Sequence, residues 1–171
     1  MTDAVAALEQ STAPEGRMQL INYGPAQPLV IVDFAHTPDA LTQVIEVIRQ
    51  HCSGAVTVVF GCGGERDKGK RGEMGSAASR LANRFIVTDD NPRNEDPQAI
   101  IDDIVAGAGS SSAITVERDR AKAIRLAIEG ADPGDAVLIA GKGSERFQLI
   151  ADASLPFSDA DVAADVLRGL S

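Results

Sequence analysis

Residues 29–48 read LVIVDFAHTPDALTQVIEVI, and the spacing of the apolar residues changes within that stretch. Leu29 to Val32 are apolar without interruption, the pattern of a strand buried on both faces and not of one with a solvated side. From Pro38 onward Leu41, Val44, Ile45 and Ile48 recur at helical spacing and form one apolar stripe. Thr37 is the N-cap candidate, and Pro38 takes the first helical position, where the N–H it lacks has no intrahelical partner anyway. A buried strand followed directly by an amphipathic helix is the repeating unit of a sheet covered on both faces.

The rest of the chain repeats the unit. AVTVVFG (55–61), FIVT (85–88), ITV (114–116) and AVLIAG (136–141) read as further strands. Helical patterns alternate with them near 72–82 and over 97–106 and 119–130, and 159–170 closes the chain. A short strand is expected at 17–22 and a turn at Gly24-Pro25, after a lead-in helix in MTDAVAALEQ that STAPEG breaks. The predicted fold is a doubly wound α/β domain, with a mostly parallel sheet and helices on both faces. Residues 1–15 are expected to be lead-in helix and linker, and 16–171 the domain. Ligands of such folds bind beyond the carboxyl ends of the strands. The loops there are DFAHTPD (33–39), GCGGERDKGKR (61–71), TDDNPRNEDP (88–97) and GKGSER (141–146).

Composition bounds what those loops do. A chain of 171 residues, 44% of them apolar, builds one core, and a second full domain does not fit. A net charge of −9 excludes a generally basic surface for nucleic acid, and the Lys and Arg residues cluster only at 66–71. Cys52 and Cys62 lack CxxC spacing, and the chain shows no secretory leader, so free thiols in a reducing cytoplasm are expected. No apolar run approaches a membrane span, and a soluble protein is expected. Neither a nucleophilic triad nor a metal-ligand spacing is visible.

Each loop has two readings. Gly64 to Arg71 comes within one residue of the phosphate loop G-x-x-x-x-G-K-[ST], but Arg71 lacks the hydroxyl that would hold magnesium. The alternative is an anion-binding loop at a helix N-terminus, with Arg66, Lys68 and Lys70 as its cations. In TDDNPRNEDP one cation, Arg93, stands among Asp89, Asp90, Glu95 and Asp96, either a solvated charge cluster or a recognition loop. His36 reads as a structural hydrogen-bonding group or as part of a site. Gly141-Lys142-Gly143-Ser144-Glu145 reads as a glycine turn or as a place where backbone approaches a ligand closely.

Taken together, GRM (16–18), DFAHTPDAL (33–41), VFGCGGERDKGKR (59–71), VTDDNPR (87–93), DRAKAI (119–124) and VLIAGKGSE (137–145) resemble, in order and spacing, the C-terminal domain of the Mur ligases of peptidoglycan synthesis. The likeness is strongest to the branch that adds meso-2,6-diaminopimelate to UDP-N-acetylmuramoyl-L-alanyl-D-glutamate. The resemblance implies a Rossmann-like domain of an ATP-dependent amide ligase of the cytoplasm. It implies that Arg66, Asp90, Asn91, Arg93, Gly141 and Glu145 bind diaminopimelate, and that Arg17, Asp33 and His36 face the nucleotide. ATP and magnesium are implied for the full-length enzyme, with none held tightly here and no metal site in this domain. The UDP-linked dipeptide is implied as a partner through two further domains, and neither nucleic acid nor membrane is. Two departures stand out: Ser144 replaces the family's histidine in GKGHE, and the ATP-binding P-loop of the central domain is absent from the chain. The chain is therefore expected to be an excised or truncated C-terminal domain, inactive alone. Rival readings are a non-catalytic amino-acid-binding domain and a Mur-type ligase for another amino acid.

Overall fold

The uninterrupted apolar runs become the middle of one sheet. In the computed structural model, which describes residues 14–21 and 26–170, the elements run β1 (Gln19–Ile21), β2 (Leu29–Asp33), α1 (Pro38–His51), β3 (Val56–Phe60), α2 (Gly69–Leu81), β4 (Arg84–Val87), α3 (Pro97–Ala108), β5 (Ile114–Val116), α4 (Arg120–Glu129), β6 (Ala136–Ala140), β7 (Phe147–Ile150), β8 (Ala153–Pro156) and α5 (Asp159–Gly169). The expected lead-in helix and the Gly24-Pro25 turn lie outside the described residues.

The main sheet has the strand order β1-β2-β6-β3-β4-β5, with β1 antiparallel to β2 and all other pairs parallel. Every residue of β3 and β6 is buried, as their lack of polar alternation requires. One face packs Ile31, Val58, Phe60, Phe85 and Leu138 against α1, α2 and α3. The other packs Val30, Val32, Val59, Val137 and Ile139 against α4 and α5. The doubly wound α/β fold expected from the sequence is therefore the fold found.

Topology decides where the site lies. The chain leaves β3 toward β4 and β5, then α4 carries it back so that β6 inserts between β2 and β3. The four strands that precede the unusual loops thus become neighbours, and their carboxyl ends share one edge. Such a reversal of strand order is where α/β sheets open a crevice.

Three local differences from expectation have physical causes. Helix α2 starts at Gly69, before the expected 72, because its inward face is lined by Gly75, Ala77 and Ala78 and carries little apolar signal. Small residues are required there: a Cβ on Gly107 of α3 would stand 2.0 Å from the carbonyl oxygen of Gly72. The antiparallel hairpin β7–β8 was not expected, and its exposed strands lack a one-sided apolar pattern. Strand β1 starts at Gln19 and not at the expected 17, and the expected end at 22 lies outside the described residues. No helix among the described residues is long and apolar enough to cross a membrane.

Candidate functional site

A cleft of about 370 Å³ opens at that shared edge. The loop after β2 contributes Phe34 and His36, and the loop after β3 contributes Gly61, Cys62, Gly63, Arg66 and Asp67, with Lys70 from α2. Asp90, Asn91 and Arg93 come from the loop after β4, and Gly141 and Glu145 from the loop after β6. All six residues expected to bind the amino acid therefore line one cavity, although they are spread over 80 positions from Arg66 to Glu145.

Of the three residues expected to face a nucleotide, His36 lines the cleft, and Arg17 and Asp33 do not. The Arg17 guanidinium lies over the Phe34 ring at 4.9 Å from its centroid. Asp33 is buried, and its two oxygens each accept a 2.7 Å hydrogen bond, from the backbone N–H of Met18 and of Ala35. It ties the GRM segment to the end of β2. The His36 Nδ1 sits 2.9 Å from the carbonyl oxygen of Phe34.

At the other end of the cleft three side chains close a ring. Lys142 Nζ donates to Asn91 Oδ1 at 2.9 Å and to Glu145 Oε2 at 3.1 Å, while Asn91 Nδ2 donates to Glu145 Oε2 at 2.9 Å. Gly141, at φ 114°, lets the chain turn here, and a Cβ on it would stand 2.8 Å from Asp90 Oδ2. The Asp90 carboxylate makes no hydrogen bond with any described residue. Burial raises its pKa, against the pull of Arg120 and Lys142.

Arg93 is held by backbone carbonyls and not by the acids around it in sequence. Its Nη1 donates to the backbone oxygens of Gly64 at 2.8 Å and Asn91 at 3.3 Å. Its backbone, at φ 52°, pairs with the β7–β8 hairpin through Leu149 and Ala151. Nε and Nη2, which share the other edge of the guanidinium, make no hydrogen bond with described residues. The surrounding acids are engaged elsewhere: Asp89 with Arg118 at 3.1 Å, Asp96 as the N-cap of α3, and Glu95 with Arg71.

The loop at 64–71 is not a phosphate loop. Arg71 is fully buried, donating to Glu95 at 2.7 and 2.9 Å and to Asp103 at 2.9 Å. The bonds from Arg71, and next from Lys68, hold the Glu95 carboxyl well below the usual carboxylate range. Of the three cations expected to bind an anion, Lys68 is drawn to Glu95 at 2.9 Å and is absent from the cleft wall. Lys70 donates to the carbonyl oxygen of His36 at 2.7 Å, and Arg66 makes no hydrogen bond or ion pair with described residues. Burial pushes the Cys62 thiol up to about 12, so this wall residue stays protonated and unreactive.

Sequence reading missed Lys142 and Arg120 as buried charges. Arg120 is fully enclosed, bonded to both oxygens of Asp159 at 2.8 Å and to the carbonyl oxygen of Ala140 at 2.9 Å. The signal for Lys142 was its place directly after a wholly apolar strand. Nothing local marked the partnership of Arg120 with Asp159, which lies 39 residues away.

A cleft at a topological switch point, lined by charges of both signs, defines an α/β domain suited to a small zwitterionic ligand. Residues 16–143 match the family described as Mur ligase, glutamate ligase domain, and the chain belongs to that family. It is 49% identical over 164 residues to the UDP-N-acetylmuramoyl-L-alanyl-D-glutamate--2,6-diaminopimelate ligase of Coxiella burnetii, covering 96% of this chain and 33% of that protein. It is 55% identical over 152 residues to the ligase of the same name from Alkalilimnicola ehrlichii, covering 89% of this chain and 30% of that one. A solved structure with this name superposes with a TM-score of 0.86 at 42% identity, over 95% of this chain and 33% of its own. The chain thus spans about one third of the length of the relatives it matches.

Proposed function

We propose that this chain is the amino-acid-binding part of an ATP-dependent amide ligase that joins meso-2,6-diaminopimelate to UDP-N-acetylmuramoyl-L-alanyl-D-glutamate in the cytoplasm. The carrying observation is the single cleft in which Arg66, Asp90, Asn91, Arg93, Gly141 and Glu145 meet. Diaminopimelate bears an ammonium and a carboxylate at each end. The cleft wall offers cations at Arg66, Lys70 and Arg93, and anions at Asp67, Asp90 and Glu145. The free edge of Arg93 presents two parallel N–H groups, the geometry that a carboxylate accepts in bidentate fashion. Lysine lacks the distal carboxylate and would leave that edge unused.

In this reaction the terminal carboxylate of the UDP-linked dipeptide is phosphorylated by ATP. The amine of the bound amino acid then attacks the acyl carbon and phosphate leaves. The work assigned to this chain is positioning and electrostatics, which needs held charges and no nucleophilic side chain. Arg17, with its guanidinium outside the amino-acid cleft, and His36 on its rim belong in this reading to the side that faces the nucleotide, with Asp33 anchoring that segment. ATP and the magnesium that accompanies it belong, in this reading, to the full-length enzyme.

Calorimetric titration of the full-length protein with meso-diaminopimelate, L-lysine and glutamate tests the proposal. Diaminopimelate is expected to bind at least tenfold more tightly than either. Equal or tighter binding of lysine would overturn the substrate assignment.

A further inference from the structure

Lys142 contributes no surface to the cleft, yet it touches two of the groups that do. Its side chain has 0% exposure, and its ammonium contacts Asn91 and Glu145. An ammonium only donates, so it dictates which end of the Asn91 amide is which. Oδ1 must face Lys142 and the backbone N–H of Leu149, which also donates to it at 2.9 Å. Nδ2 is thereby turned onto Glu145. The carboxylate of Glu145 receives both its donors on Oε2, leaving Oε1 without a partner among the described residues.

The buried charges next to the ring point the same way. Two buried cations, Lys142 and Arg120, stand with three carboxylates, Asp90, Glu145 and Asp159. Asp159 is matched by Arg120 through two hydrogen bonds. Lys142 bonds one acid, Glu145, and lies near a second, Asp90, which has no hydrogen-bond partner among the described residues. Lys142 itself cannot meet a ligand in the cleft, since it already sits behind the ring and cannot advance without abandoning Asn91.

We propose that Lys142 is the positioning residue of this site, holding Asn91 and Glu145 in the orientation that receives an ammonium group of the amino acid while never touching it. The proposal rests on reading the cleft as an amino-acid site.

A double-mutant cycle in the full-length ligase tests it, using Lys142→Met, which keeps the length of the side chain and removes the donors. Asn91 and Glu145 lose their common partner, so KM for the amino acid is expected to rise about ten- to hundredfold, the range for hydrogen bonds to charged groups. KM for ATP should change less than twofold. Glu145→Gln alone should raise the same KM, but added to Lys142→Met it should do little more, because a displaced carboxylate has already lost its use. Effects that multiply, or equal rises in KM for ATP and for the amino acid, would reduce Lys142 to a structural residue. Should Lys142→Met not fold, Lys142→Gln carries the cycle, since it keeps a donor for Asn91 and lacks the charge. The cycle is run with whichever amino acid the wild-type enzyme uses best. Preference for another amino acid sinks the substrate reading, while the role of Lys142 still stands or falls on the cycle.

Discussion

At the scale of single residues, the proposed recognition of a zwitterion falls to Asp90 and Arg93. Burial lifts the Asp90 pKa, which sets the sign of two pH effects. A carboxyl whose folded pKa is raised stabilises the fold below its unfolded pKa, and that contribution is lost as pH rises through the folded value. Binding runs the other way, because an ammonium favours the ionised form and draws the proton off. Near and below the raised pKa, amino-acid binding should therefore release a proton and strengthen as pH rises. Calorimetry in buffers of different ionisation enthalpy reads that proton directly, and Asp90→Asn should abolish it; no difference between buffers would place Asp90 outside the ammonium site. For Arg93 the expected loss is on the carboxylate side. Arg93→Ala should raise KM for diaminopimelate about ten- to hundredfold with little effect on lysine. Arg93→Lys should recover only part, because a point charge lacks the guanidinium fork. An unchanged preference between the two amino acids would leave Arg93 as a loop residue that merely caps carbonyls.

At the scale of elements, the closest packing is between α2 and α3. Built Cβ atoms on Gly75 and Gly107 would stand 2.0 Å from the carbonyl oxygens of Ile104 and Gly72, so the helix backbones touch directly. These obstacles are backbone and cannot swing aside. Gly107→Ala should therefore destabilise by about 1–3 kcal/mol, as overpacking does, outweighing the gain of up to about 1 kcal/mol in helix propensity. The melting temperature should fall by roughly 2–4 °C per kcal/mol in a domain of this size. Gly169→Ala, whose Cβ would meet nothing within 4 Å, serves as the control and should not lower it. An unchanged melting temperature in Gly107→Ala would mean that the crossing is looser than described. This crossing also marks where sequence reading weakens. Apolar periodicity reveals α1, α3 and α4 because each buries branched aliphatic residues, whereas α2 buries glycine and alanine. The six wall residues were legible through family motifs, and physical reasoning alone reached only their loops. That those loops converge depends on β6 inserting between β2 and β3, a long-range pairing that no local pattern encodes. The burial of Arg71 was equally hidden, since its partners Glu95 and Asp103 lie 24 and 32 residues away.

At the scale of the whole molecule, the two halves of the proposed reaction are unequally represented. The amino-acid wall draws on four loops of one domain, so the pocket is assembled within this chain. The stretch that imitates a phosphate loop, by contrast, commits its decisive position, Arg71, to Glu95 and Asp103. The 171-residue chain on its own should therefore bind diaminopimelate measurably while neither hydrolysing ATP nor forming the amide. Arg71→Ser, which completes the phosphate-loop pattern on paper, separates pattern from structure. It should create no nucleotide affinity, because the loop wraps Glu95 and not an anion cavity, and it should lower the melting temperature by leaving Glu95 and Asp103 without their shared guanidinium. Phosphate release from the purified chain that depends on added amino acid and persists in an Asp33→Ala variant would overturn this division of labour. Micromolar nucleotide binding by Arg71→Ser would do the same for the reading of the loop, showing that a phosphate cradle needs only the right final hydroxyl and not the open backbone that Arg71 now closes.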